Sequence, residues 1–174
     1  MEVTLWGTRG SLATPGPETG RYGGNTSCVG VVGREGTMLV LDAGTGIRRL
    51  AAADAAGAVL TYLPDHEPAL GTLRFPCLPR GWTSGAALAA EADLLIHDSQ
   101  YSEVEYPGHC GWGHSSLDQT LDFGTLVEVR QLVTFHHDPA HTDSALDQLM
   151  AEATARTKPA YRVTPGIEGT TFAL

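Results

Sequence analysis

The sequence is poor in the features that mark specialised protein classes. Its three cysteines, Cys28, Cys77 and Cys110, are odd in number, far apart and form no CxxC pair. That argues against a disulfide framework and against a cysteine zinc knuckle. Charged residues make up only 18% of the chain, no basic run occurs, and 20 acidic side chains against 11 basic ones leave a net charge of −9. A protein that grips duplex DNA by neutralising phosphates is normally basic, so there is no DNA-binding signature. Acidity does not exclude a nucleotide or RNA substrate where a metal supplies the positive charge. No apolar run approaches the roughly 20 residues needed to span a bilayer. The opening Met-Glu-Val-Thr-Leu-Trp carries no basic n-region. The expectation is a cytoplasmic chain that makes no membrane contact.

What is present is ordinary globular material. Apolar residues reach 42% over 174 residues, which predicts one domain, 1–174, able to bury a core. Short apolar runs bounded by turn residues predict strands over Val3–Trp6, Cys28–Val32, Met38–Leu41, Val59–Leu63, Asp93–His97 and Gln131–Phe135. The second and third form a hairpin around Gly33–Gly36. Smaller strands are predicted at Val163 and over Thr170–Leu174. Helical spacing predicts helices over Ile47–Ala56, from a Ser84 cap to about Ala92, after Ser115 or Ser116 with Leu117, Leu121 and Leu126, and after Thr142 or Asp143 with Leu146, Leu149, Met150 and Ala153. Alternating strands and helices indicate an α/β fold.

Four polar clusters follow predicted strands, where α/β proteins commonly build their sites. They are Asp65-His66-Glu67, His97-Asp98, His114-Ser115-Ser116 and His136-His137-Asp138. Imidazole and carboxylate suit zinc, manganese or iron. Each cluster alone has a plainer reading, as a strand exit, a turn or a helix cap. Asp42, in a glycine turn, reads as structural, and His109 and His141 lie in loops with no assigned role. Four such clusters together point to a metal site.

Several segments extend this reading. Trp6-Gly-Thr-Arg-Gly-Ser11, Pro15-Gly-Pro-Glu18, Arg21-Tyr-Gly-Gly-Asn-Thr-Ser-Cys28 and Leu41-Asp-Ala-Gly-Thr-Gly46 stand in the first part of the chain. Tyr62-Leu-Pro-Asp-His-Glu-Pro68, His97-Asp-Ser-Gln-Tyr101, Gly111-Trp-Gly-His-Ser-Ser116 and Phe135-His-His-Asp-Pro139 follow in order. Together they resemble the metallo-β-lactamase-fold metal-dependent hydrolases, on the ribonuclease Z and cyclic-phosphodiesterase side. The resemblance implies an αββα sandwich and water attack on a phosphodiester at a zinc or manganese centre, with RNA or a small phosphodiester as substrate. It also implies roles for particular residues. Asp65 matches the aspartate that bridges two metal ions, and His136 matches the last histidine ligand. His97-Asp98 resembles the His-Glu-Ala-Thr element and His114-Ser115-Ser116 the His-Ser-Thr element. Asp98 would then orient His114, which assists departure of the leaving oxygen. The catalytic expectation is thus His97, Asp98 and His114.

The chain departs from that family at one place. The His-x-His-x-Asp-His signature is missing, because Arg48-Arg-Leu-Ala-Ala-Ala-Asp-Ala-Ala-Gly57 runs directly into Ala58-Val-Leu-Thr-Tyr-Leu-Pro-Asp65 and no histidine lies between Asp42 and Asp65. Judged against usual domain sizes, a segment of roughly 100 residues is absent near Gly57, shortening the N-terminal half. Two ligands alone do not hold a catalytic zinc, which usually keeps three plus water. Three readings follow: an inactive relative, a reduced mononuclear site completed by His66, His137 or Asp138, or a non-catalytic interaction module using Tyr101, Tyr106 and Trp112. Shortening also uncovers strand edges and apolar faces. Either a homo-oligomer or rearrangement of Cys28–Leu41 against Val59–Leu63 would cover them.

Overall fold

A computed structural model of the chain describes residues 2–7, 28–32, 38–41, 58–68, 80, 83–168, 170 and 172. The architecture is α/β, as the alternation of elements predicts. The strands are β1 (Glu2–Gly7), β2 (Cys28–Val32), β3 (Met38–Leu41), β4 (Val59–Leu63), β5 (Leu94–Asp98), β6 (Gln131–Phe135) and β7 (Arg162–Pro165). They form one seven-stranded sheet in sequential order. β1 pairs antiparallel with β2 and β2 antiparallel with β3, the predicted hairpin pairing Val29 with Leu41 and Val32 with Met38. From β3 to β7 every pairing is parallel.

The β3–β4 pairing, Met38 with Val59 and Val40 with Thr61, joins the sheet across the point where the sequence departs from the family pattern. It is the rearrangement expected as one way to cover the exposed edge. The turn Asp42–Gly46 and the helix Ile47–Ala56, together with most of the terminal strand Thr170–Leu174, fall outside the described residues.

Among the described residues, the parallel steps β4–β5, β5–β6 and β6–β7 carry the α-helices α1 (Ala86–Ala89), α2 (Leu117–Leu126) and α3 (Asp143–Thr157) in turn. Crossovers of one hand between strands in sequential order place the helices on one face. Accordingly, α2 packs on both α1 and α3. Leu63, Leu95 and Leu132 point to that face and are buried with Ala86, Leu88, Leu117, Leu121, Phe123 and Ala153. Each such leucine contributes about 1.5–3 kcal/mol when removed from water. Arg156 of α3 forks onto the fully buried Asp118 of α2 at 2.8 Å through two nitrogens, which locks the two helices together.

Of the two candidate caps of α2, Ser115 and Ser116, the structure uses Ser116. Its hydroxyl accepts from Gln119 N at 3.1 Å, while Gln119 Oε1 accepts from Ser116 N at 3.0 Å, a complete capping box. Thr142 caps α3 by accepting from Ala145 N. Ser84 does not cap α1. Gly85 occupies that position in the left-handed conformation at φ 70°, and no side chain caps the helix. A Cβ at Gly85 would stand 2.9 Å from the His66 ring, so the glycine makes room for a buried histidine. No helix among the described residues is long and apolar enough to cross a membrane.

Candidate metal centre

The site forms where β4, β5 and β6 end. Leu63 closes β4, and after Pro64 the chain turns at Asp65 with φ 48°. Asp98 is the last residue of β5. His136 follows β6 directly, also in the left-handed region at φ 59°. Aspartate and histidine are both among the non-glycine residues found most readily in that conformation. Two such turns at neighbouring strand exits aim both side chains over the carboxyl edge of the sheet. His114 comes from the loop between β5 and α2, two residues ahead of the Ser116 cap.

One ligand-type atom from each of Asp65, Asp98, His114 and His136 lies within 4.8 Å of all the others. His136 Nδ1 stands 3.5 Å from Asp65 Oδ1, and His114 Nδ1 stands 3.8 Å from the same oxygen. The His114 and His136 rings stack with centroids 4.9 Å apart. Asp98 is fully buried, and its Oδ2 accepts from His114 Nδ1 at 2.7 Å. Its other oxygen takes Ser115 N at 2.9 Å and Gln100 N at 3.3 Å. Burial pushes the Asp98 carboxyl up, and the bonds from His114 and Ser115 pull against that rise. The shorter aspartate side chain therefore reaches the histidine that the resemblance assigns to it.

No protein-family model matches this chain, and no curated protein matches it. The geometry is therefore the basis for any functional reading.

His97 does not join the cluster. Successive strand residues point to opposite faces, so with Asp98 at the site His97 must face the helices. It is completely buried there, against Phe123 with ring centroids 4.8 Å apart. Its Nδ1 lies 2.7 Å from the Asp98 carbonyl, which can only accept, so that nitrogen carries the proton. His97 Nε2 is then bare and accepts from His66 Nδ1 at 2.8 Å. The chain of donors starts at His66, whose other nitrogen, Nε2, carries no proton, is buried and has no hydrogen-bond partner among the described residues. Burial lowers the His66 pKa to about 4 and holds His97 well below its usual range.

The expected completing donors lie elsewhere. His66 is committed to His97. Asp138 Oδ1 accepts from Ala140 N at 2.8 Å. His137 lines a separate cavity of about 470 Å³ with Leu146, Met150 and Ile167. Instead Asp98 and His114 stand beside Asp65 and His136. The two loop histidines also have places: His109 stacks on Tyr101 at 4.4 Å, and His141 pairs with Glu105 at 2.9 Å.

Glu67 belongs to the site region in a way that the residue pattern did not indicate. Its carboxylate accepts from Tyr106 Oη at 2.6 Å, Gly111 N at 3.0 Å and Gly113 N at 3.0 Å. The one signal was Gly111-Trp112-Gly113, two glycines spaced to turn successive backbone N–H groups toward an anion.

Proposed function

We propose that this chain is a shortened relative of the metallo-β-lactamase-fold hydrolases, with an αββα sandwich reduced in its N-terminal half. Its inherited chemistry is metal-dependent hydrolysis of a phosphodiester, of RNA or cyclic-nucleotide type, with activity reduced or lost. The observation that carries this reading is the convergence of Asp65, Asp98, His114 and His136 from separate strand ends.

The donor set suits zinc or manganese, two carboxylates and two imidazoles being ligands that either metal takes. Ligands about 2.1 Å from a tetrahedral metal stand about 3.4 Å apart, close to the 3.5 Å between His136 Nδ1 and Asp65 Oδ1. Among the described residues no lysine or arginine pairs with Asp65 or Asp98. A bound metal supplies a lowered pKa for water and a counter-charge for a phosphoryl oxygen.

The chain's own residues do the rest. Asp65 and His136 would hold the cation, with the Asp98 carboxylate beside them available as a further donor. Asp98 fixes the tautomer of His114 by accepting from Nδ1, leaving Nε2 as the nitrogen that exchanges a proton with a leaving oxygen. With fewer ligands than a two-metal site requires, turnover is slow.

The test is bound zinc and manganese in the purified protein, followed by hydrolysis of bis(p-nitrophenyl) phosphate with and without added manganese. Stoichiometric metal and manganese-dependent turnover are expected, and the double variant Asp65→Ala/His136→Ala should abolish both. Absence of metal binding at micromolar concentration, with no turnover, refutes the hydrolase reading.

A second reading, a non-catalytic interaction module, draws support from one residue. Trp112 is 67% exposed, whereas Tyr101 and Tyr106, expected to share that role, are buried. A homo-oligomer would use the sheet face opposite the helices, where Leu5 and Leu41 share one cross-strand row and are exposed. Light scattering at micromolar concentration tests it, and a monodisperse monomer would exclude it.

A further inference from the structure

Glu67 lies two residues beyond Asp65 and is tied to the loop that ends at His114. Gly111 and Gly113 sit at φ 87° and 91°, conformations that direct their N–H groups toward one point. At Gly113 a Cβ would meet nothing within 4 Å, so its dihedral, not crowding, demands glycine. Gly111 N contacts both carboxylate oxygens, at 3.0 and 3.1 Å, and Gly113 N takes Oε2 at 3.0 Å. The Tyr106 hydroxyl, from a buried side chain, adds the shortest bond at 2.6 Å. These partners lie 39 to 46 residues away in sequence. A charged acceptor taking several donors at once is among the stronger hydrogen-bonding arrangements.

A second tie works beside it. The Ser115 hydroxyl donates to the His66 carbonyl at 2.5 Å, while Ser115 N donates to Asp98. The segment carrying Asp65 and the segment carrying His114 are therefore clasped on both sides of the cluster. Asp65 itself is mostly exposed and His114 is partly so, hence neither is held by core packing.

The geometry points to Glu67 as a positioning residue that sets His114 against Asp65 and Asp98 by holding the 106–113 loop to the end of β4. Its described hydrogen bonds go to Tyr106, Gly111 and Gly113, not to a member of the cluster, and it acts through the backbone of Gly113. Its consequence for metal binding rests on the hydrolase reading, whereas its hold on His114 does not.

Glu67→Gln keeps the side-chain size but replaces one acceptor oxygen with a donor facing N–H groups. Two readouts separate positioning from general support: manganese affinity by isothermal titration, and the downfield imidazole N–H resonance of His114 bonded to Asp98. Manganese affinity is expected to fall about 10–100-fold, as for other outer-shell partners, and the resonance to broaden or vanish. Circular dichroism should meanwhile show native secondary structure. Should Glu67→Gln fail to fold, Tyr106→Phe removes the shortest bond without emptying volume, and the same two changes are expected at smaller size. A folded variant with wild-type affinity and an unchanged His114 resonance overturns the proposal. If the wild-type protein binds no manganese, the hydrolase reading fails and the resonance alone decides the role of Glu67.

Discussion

Two histidine groups lie side by side in sequence and behave as opposites in the fold. His66 follows Asp65, and His97 precedes Asp98. The carboxylates reach the carboxyl edge of the sheet, where His114 and His136 meet them. The histidines turn inward, to Phe123 and to each other, and among the described residues no carboxylate pairs with their rings. At the edge, imidazole has charged partners and access to water; inside, it is a neutral packing group whose protonation is suppressed. Residue type does not make a site. The face of the strand decides which histidines can do chemistry.

The sharpest way to break this comparison is to change neighbours on β5. His97→Ala removes a fully buried ring and leaves the His66 Nδ1–H without its acceptor. It should cost about 3–5 kcal/mol in urea unfolding, the range of large buried truncations. Metal affinity, measured well below the transition, should hardly move. Asp98→Asn should lower manganese affinity by more than tenfold, since Asp98 is both a cluster donor and the partner of His114. If His97→Ala weakens metal binding as much as Asp98→Asn does, the division between the two faces is false.

Proton uptake tests the inner pair alone. In the unfolded chain His66 binds a proton near 6.5, and in the folded chain only near 4. Between those values the unfolded state holds more protons, so stability is fully present above pH 6.5 and is lost as the pH falls toward 4. The loss from His66 is on the order of 3 kcal/mol, and His97 shifts in the same direction. Urea unfolding at pH 7.5 and 4.5 measures it. A His66→Met variant, which fills the space without titrating, should lose the His66 share of the difference and keep that of His97. An unchanged pH dependence in that variant would show that other groups dominate acid unfolding.

Local pattern revealed some of this arrangement and hid the rest for physical reasons. Val59–Leu63 and Gln131–Phe135 are apolar runs bounded by turn residues, and the strands fall on those limits. A cap at Ser115 or Ser116 was expected, and Ser116 provides it. Two-residue alternation along β5 already forbids His97 and Asp98 from sharing a face, yet both were expected at the site because the resemblance groups them in one motif. Ser84 looked like a cap, but the need of His66 for space at Gly85 decides where α1 begins. The meeting of Asp65 with His136 was suggested only by resemblance, since left-handed turns at two strand ends leave no hydrophobic period to read. The clasp by Glu67 depends on contacts across more than forty residues, beyond any local pattern.

The smallest effect on stability belongs to Asp65, and it probes the comparison from the outer side. The Asp65 side chain is 67% exposed, accepts no backbone hydrogen bond among those described, and sits at a φ that asparagine tolerates equally well. Asp65→Asn should therefore change unfolding free energy by no more than about 0.5 kcal/mol. Manganese affinity should nevertheless fall, because a neutral amide oxygen replaces an anionic donor between two imidazoles. A large loss of stability with metal binding intact would reverse the assignment, making Asp65 a structural turn residue and His66 the reason that its segment is fixed.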